Sequence, residues 1–406
     1  MLICIDSGVI GTKKHLLCGL GSDREWFWSS SVPHDAWVFG SYAVDKSLDA
    51  VLDFFSLEHP VIGSQPHIRS FKLLLGYEKY QIPWHQVLPE HEFQETIKRL
   101  ITILEKALKT FLDMDYGETF MKSRGLLLGL SRASVDGPRL SAYIQNEKNP
   151  TIRSTLKSFQ PNGDKRAPRV EYCQTGTVTG RLTISSGPQI LTLPKKYRNI
   201  ITSRYPGGYI AQVDFTSLEP RIARLTSGYS AENDVYLQLS RELFESSLQR
   251  EEVKIAVLCA LYGVSKQRLA SMLGKEFQAD VIIREIKSFF GIPKLVKDLK
   301  TQMIVNNRIM NHFGRVVESA KMDDNILINH YIQSTAVDAA ILGFHKLVQA
   351  LNGLAADPLF IIHDALVLDI SPKAMHDVKD ILQNGLVVPT MGMFPVELSI
   401  IREPSE

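Results

Sequence analysis

Val213-Asp214-Phe215-Thr216-Ser217-Leu218-Glu219-Pro220-Arg221 reads as a strand running into a helix, with an acid at the joint. Tyr209 to Val213 is a β-favouring run behind the turn signal Pro206-Gly207-Gly208, and Asp214 stands at its end. Ser217 is expected to cap a helix that carries Pro220 in its first turn and stops near Gly228. Two further apolar runs, Leu359–Ile362 and Ala365–Leu368, flank His363-Asp364. They predict a hairpin with Asp364 at its tip. A lone aspartate after a strand is commonly a cap or turn residue. Two of them, each at the edge of strands that need burial, make a pair suited to holding cations.

Phosphoryl transfer uses such a pair. Two hard metal ions about 3.5–4 Å apart lower the pKa of an attacking hydroxyl and neutralise a leaving pyrophosphate. Asp214 and Asp364 are the expected shared metal ligands, with the backbone carbonyl of Phe215 as a further one. Two Mg2+ ions are expected, with Mn2+ able to substitute. Between the aspartates in sequence lies Arg250-Glu251-Glu252-Val253-Lys254, running on to Tyr262-Gly263. Arg250, Lys254, Leu258 and Tyr262 recur every four residues and drift slowly around one helix face. Such a stripe suits an extended nucleotide, with Arg250 and Lys254 toward the triphosphate, Leu258 at its middle and Tyr262 at the base. Lys254 is also a candidate proton donor to pyrophosphate. Gly263 leaves room for close approach. The competing reading is an exposed, salt-bridged helix face, which Glu251 and Glu252 favour.

The order, spacing and flanks of these motifs resemble family A DNA polymerases, the DNA polymerase I-like group, from about Thr175 to about Ile370, roughly half of the chain. The resemblance implies a right-hand polymerase fold with an antiparallel palm sheet, helical fingers and a reduced helical thumb. It implies a cationic contact of Lys254 with the phosphates. It makes Glu219 the steric gate against a 2′-hydroxyl, which favours DNA over RNA synthesis; otherwise Glu219 is a first-turn acid favoured by the macrodipole. Thr179-Gly180-Arg181-Leu182-Thr183 is similar to the family's T-G-R-L-S segment, whose Arg reaches the minor groove at the primer terminus. Minor-groove acceptors are alike for correct pairs, so that contact checks pair shape. Asn329 and Gln333 resemble the helix on the template side, and His363 joins Arg181, Asn329 and Gln333 as DNA-binding candidates. Several positions depart from the family. Leu258 stands where an aromatic ring is common, Ser217 and Pro220 replace Gln and Leu, and Ala365 replaces a Glu.

Composition sets looser bounds. The 406 residues are 44% hydrophobic and 22% charged, with a formal charge of +2. From Lys157 to Arg224, however, eleven Lys/Arg face four acids, a local +7 that leaves −5 for the rest. A basic segment in a near-neutral chain is a candidate phosphate footprint. Four scattered cysteines without a C-x-x-C pair argue against a zinc ribbon and a disulfide framework, and fit a reducing compartment. No signal sequence or membrane span is expected. The reading is a soluble, cytoplasmic, monomeric protein without membrane partners, with no replication or repair partner identified.

The coarse class is α+β. Residues 1–85 are expected to be a small N-terminal domain of short strands with a helix near Leu48–Phe55 and a core using Trp26, Trp28, Trp37 and Trp84. Asp6-Ser7-Gly8 is not the Asp-x-Glu of an exonuclease first strand, so this domain is expected to lack proofreading and to be at most a vestigial nuclease-like unit. Residues 86–170 are expected to hold the reduced thumb and a basic linker, built on an amphipathic helix from Glu90 to Leu112. The palm is assigned to 171–228 and 315–406 and the fingers to 229–314. The expected activity is template-directed addition of deoxynucleotides to a primer 3′ end, with primer–template DNA and dNTPs as partners. An RNA polymerase or primase on the same fold, and a non-catalytic nucleic-acid-binding relative, remain alternatives.

Overall fold

The computed structural model describes residues 2–6, 16–20, 26–29, 36–39 and 89–403, apart from 113–115, 175, 263–266, 268, 270, 272–275, 307 and 318–322. Thr175, Gly263, Trp84 and the helix expected near Leu48–Phe55 lie outside the described residues. The chain divides into two compact units, Met1–Met121 and Lys122–Glu406.

The first unit contains a sheet of four strands, β1 (Leu2–Asp6), β2 (Leu16–Leu20), β3 (Trp26–Ser29) and β4 (Ala36–Phe39). Their order is β3-β2-β1-β4, antiparallel except for the parallel β1–β4 pair. Cys4 lies opposite Cys18 in this register and is disulfide-bonded, a single bond where the cysteine spacing argues against a disulfide framework. Helix α1 (Glu90–Leu112) has the predicted bounds. Acids in its first turn suit the macrodipole, and Phe93, Leu100, Ile103 and Leu104 form its buried stripe.

The second unit is organised by one antiparallel sheet. Its strands are β5 (Tyr209–Phe215), β6 (Ala356–Ile362), β7 (Ala365–Ile370) and β8 (Val396–Arg402), ordered β6-β7-β5-β8. In β5 the alternation is clean near its end. Val213 and Phe215 are buried, while Gln212 and Asp214 are half-buried on the other face, as a period of two requires. The long helix α6 (Asp324–Ala350; helices α2–α5 follow below) crosses the covered face. A Cβ at Gly343 would sit 2.8 Å from Phe215 Cζ, so any side chain there would have to push the Phe215 ring aside. Phe215 is also clamped by Phe344 and Phe394, with ring centroids 5.2 and 6.2 Å away.

Among the described residues, five helices lie between β5 and α6 in sequence. They are α2 (Leu218–Thr226), α3 (Val235–Phe244), α4 (Arg250–Tyr262), an unnumbered helix over Glu276–Phe289 and α5 (Ile292–Asn306). Val235, Leu239, Val257, Leu261 and Phe290 share a buried cluster with Leu327 and Ile332 at the start of α6. Burying one face of α4 in this cluster turns its other face outward. Among the described residues, no helix is long and apolar enough to cross a membrane.

Candidate active site

The strand-to-helix joint is sharper than the sequence reading anticipates. Ser217 holds the N-cap position of α2 but adopts φ 53° and ψ 44°, and its side chain makes no capping bond. The left-handed residue swings the chain abruptly from β5 into α2, which aims the hydroxyl away from the helix amides. Its Oγ instead donates to Asp234 Oδ1 at 3.4 Å. The hairpin between β6 and β7 forms as expected, with His363 at φ 57° in its tight turn.

The register explains why two distant aspartates meet. Ala365 pairs with Asp214, so Asp364 is one residue from that rung, and Phe215 N donates to Asp364 O at 3.3 Å. On the other flank of Asp214 the cross-strand partner is Glu397. The Asp214 carboxyl is pushed up to about 6, first by burial and then by the charge of Asp364, with Glu397 adding to it. The Gln212 amide, which donates to Asp214 Oδ2 at 3.2 Å, and the charge of Lys195 oppose this rise. Among the described residues, no donor bonds the Asp364 carboxylate.

These acids open onto a cleft of about 790 Å3. Its lining brings together Asp214, Phe215, Glu219, Arg250, Lys254, Leu258, Arg181, Gln333, His363 and Asp364. Tyr262 joins them through its hydroxyl, which donates to Glu219 Oε2 at 2.5 Å. Burial and the Glu219 charge hold the Tyr262 phenol well above its ordinary pKa. Asn329, one turn before Gln333 on α6, is not among the residues lining the cleft.

The cations are not equivalent. Arg250 Nε donates to Asp234 Oδ2 at 2.6 Å, its Nη1 donates to Glu251 at 2.9 Å, and its guanidinium lies 5.2 Å from the Tyr236 ring centroid. Lys254 has a looser ion pair, 4.0 Å from Glu251, and is 46% exposed. Lys254 is therefore the cation most available to a ligand, and Arg250 is largely committed to the wall. The basic segment likewise divides. Arg221 and Arg224 are buried against backbone carbonyls of residues 230–232 and 289, so they are structural rather than part of an open phosphate surface.

Glu219 also accepts from Arg181 Nη2 at 3.2 Å. With the Gln333 amide turned so that its nitrogen donates to Thr179 Oγ1 at 2.7 Å, its oxygen accepts from Arg181 Nε and Nη2 at 3.1 and 2.9 Å. Arg181 thus bridges Gln333 and Glu219. Sequence reasoning names these three residues separately but does not connect them. It does not assign Glu397, Lys195, Gln212 or Tyr236 to the site. Register alone brings Glu397 to Asp214, and the Val396–Arg402 run carries no motif that marks it.

The donor set fits hard divalent cations. Its oxygens are carboxylates, and burial with the charge of Asp364 raises the proton affinity of Asp214, a cost that a dication relieves. Among the described residues, no three or more His, Cys, Asp or Glu side chains converge as a cage. Mg2+ commonly binds through one or two carboxylates and completes its shell with waters and substrate phosphates, which matches a two-acid site at a cleft mouth.

The model of DNA polymerase family A matches residues 138–400. DNA polymerase I of Aquifex aeolicus (strain VF5) is 23% identical over 311 residues, 66% of this chain and 53% of that protein, so the chain spans about half the length of this curated relative. Among solved structures, the POL domain of Pol1 from M. smegmatis, in complex with DNA primer-template and dNTP, aligns with a TM-score of 0.51 at 18% identity. That alignment covers 68% of this chain and 58% of the other, and the likeness is one of fold.

Proposed function

This chain belongs to DNA polymerase family A, and on that footing we propose that it is a DNA-directed DNA polymerase that extends a primer 3′ end with deoxynucleotides. The observation that carries the proposal is the placement of Asp214 and Asp364 at adjoining strand ends, in one cleft with the exposed cation Lys254. Asp214 and Asp364, with the Phe215 carbonyl, would hold two Mg2+ ions. When bound, those ions supply charge stabilisation to the attacking and leaving oxygens. Lys254 meets the triphosphate and neutralises the charge that gathers on pyrophosphate as it leaves. Arg250 steadies this wall through Asp234 and reaches the phosphates only at its edge.

Glu219 closes the sugar side of the cleft. Held by Tyr262 and Arg181, it cannot swing aside for a 2′-hydroxyl without breaking both bonds. Arg181 and Gln333 face the terminal base pair, and His363 lies beside the primer end. The palm comprises 171–228 and 315–406, the fingers 229–314, and the reduced thumb with its linker 86–170. Proofreading is not expected of residues 1–85, because among their described residues one carboxylate, Asp6, is present, and two-metal hydrolysis needs several.

Primer extension with separate dNTP and rNTP pools, with and without Mg2+, tests the assignment. Extension that requires Mg2+ and prefers dNTPs is expected. Preferential use of rNTPs would make the chain an RNA polymerase on the same fold, and no extension with either pool would leave a binding protein.

A further inference from the structure

The Thr179-Gly180-Arg181 loop rests on a buried ion pair that the polymerase chemistry does not itself use. Arg315 Nη2 and Nε donate to Asp338 Oδ1 and Oδ2 at 2.7 and 3.0 Å, with the two side chains 9% and 0% exposed. Asp338 Oδ2 also accepts from Asn311 Nδ2 at 2.6 Å. Asn311 in turn fixes the tight turn that presents Arg315. Its Oδ1 accepts from Phe313 N and Arg315 N at 3.0 and 2.9 Å. The remaining guanidinium nitrogen, Nη1, donates to Gln174 O at 3.3 Å.

Gly180 packs directly on this guanidinium. A Cβ at Gly180 would fall 2.4 Å from Arg315 Cζ, and the residue has φ +74°. Both facts demand glycine. Its neighbours Thr179 and Arg181 reach Gln333. Gln333 and Asp338 are five residues apart on α6, so at about 100° per residue they point to different sides of the helix. One helix therefore holds the loop at two points, directly through Gln333 and from beneath through Asp338 and Arg315.

We propose that the Arg315–Asp338 pair is a positioning device that aims Arg181 at the minor-groove edge of the primer-terminal base pair. A buried ion pair is weak support for stability, because desolvation offsets most of its attraction. Its clearest use is to specify a geometry, and the geometry specified here is that of the loop bearing Arg181. The inference rests on the placement of Arg181 at the primer terminus given under the proposed function.

The test compares primers ending in guanine with primers ending in 3-deazaguanine, which lacks the minor-groove N3 acceptor. Wild type should extend the guanine terminus about 10- to 100-fold faster, the range for a lost hydrogen bond to a charged group. Arg181→Ala should bring the ratio close to 1. Arg315→Met should do the same while the protein still melts cooperatively, and Arg181→Ala/Arg315→Met should lower the ratio no further. Should Arg315→Met fail to fold, Gly180→Ala displaces the loop from the other side and should collapse the ratio equally. Slow extension by Arg315→Met or Gly180→Ala with the full wild-type ratio would overturn the proposal and reduce the pair to a stabilising role. A wild-type ratio of 1, shared by Arg181→Ala, would remove Arg181 from the primer terminus and take the proposal with it.

Discussion

One sheet carries two carboxylate pairs and treats them oppositely. At one end Asp357 and Asp369 face each other across β6 and β7. Asp369 accepts from Ser203 Oγ and Arg204 N at 2.5 and 2.9 Å, and Asp357 accepts from the Tyr205 hydroxyl and Arg204 Nη2, both at 2.6 Å. At the other end Asp214 has the Gln212 amide at 3.2 Å and the neighbouring charge of Asp364. Burial raises the pKa of both Asp214 and Asp369. Only the second is answered by a closed set of protein donors. A buried polar network is stable when every member is satisfied, and an unsatisfied one is costly. The fold completes one pair and leaves the other facing the cleft, which is what the proposed function requires of a ligand-holding pair.

The largest expected effect separates the two ends by activity. Asp214→Ala or Asp364→Ala should lower primer extension by at least about 10^3-fold, the scale of losing a main source of transition-state charge stabilisation. Binding of primer–template should be little changed. Asp369→Ala should instead cost about 1–3 kcal/mol of stability by stranding its buried donors, with extension per folded molecule close to wild type. Gel-based extension and thermal melting of all three variants check this. Comparable activity losses at both ends would erase the distinction.

Lys254→Ala comes next. A fall of about 10^2-fold in incorporation is expected, with dNTP binding weakened more than DNA binding. Single-turnover kinetics across dNTP concentrations distinguish this from a duplex contact, which would weaken DNA affinity and leave incorporation normal.

Glu219→Ala should narrow the preference for dNTPs over rNTPs by about 10-fold or more, since a truncated side chain opens the 2′ position and releases Tyr262 and Arg181. The ratio of incorporation efficiencies for the two pools measures it. If the ratio does not move, sugar selection resides elsewhere in the cleft.

The smallest effect is on stability. The Asp214 pKa is raised above its unfolded value of 3.8 to about 6, so the native state binds more protons than the unfolded state between those values. Stability of the metal-free protein therefore falls as pH rises through that window and stays lower above it. Asp214→Asn removes the charge and should raise Tm at pH 7.5, by roughly 2–4 °C per kcal/mol regained, with the difference vanishing below about pH 4. Melting curves at both pH values decide it, and a lower Tm for Asp214→Asn at pH 7.5 would contradict the assigned repulsion.

Much of this was legible in the sequence because the decisive features are local. The apolar runs around Asp214 and His363-Asp364 announce their own strands, and the four-residue stripe from Arg250 announces its helix. α1 has the bounds its periodicity predicts. What the sequence hid is set by long-range register and by competition among neighbours. Glu397 meets Asp214 only once β8 pairs with β5. Arg250 looks as free as Lys254 in the stripe, yet Asp234, sixteen residues earlier, claims it. Ser217 is a sound cap residue by type, but the turn out of β5 requires a left-handed residue there, and that conformation removes its capping bond.

Direct counting of bound cations tests the difference between the two ends most simply. Free Mn2+ can be followed by electron paramagnetic resonance during titration of wild type, Asp214→Asn, Asp364→Asn and Asp369→Asn, each with primer–template bearing a non-extendable primer and the matching dNTP. The wild-type complex should bind two Mn2+ ions more tightly than dNTP alone does. Asp214→Asn and Asp364→Asn should each lose at least one of them, and Asp369→Asn should keep both. Unchanged Mn2+ binding in Asp214→Asn and Asp364→Asn, or loss confined to Asp369→Asn, would contradict the claim that the unanswered carboxylates are the metal-holding pair.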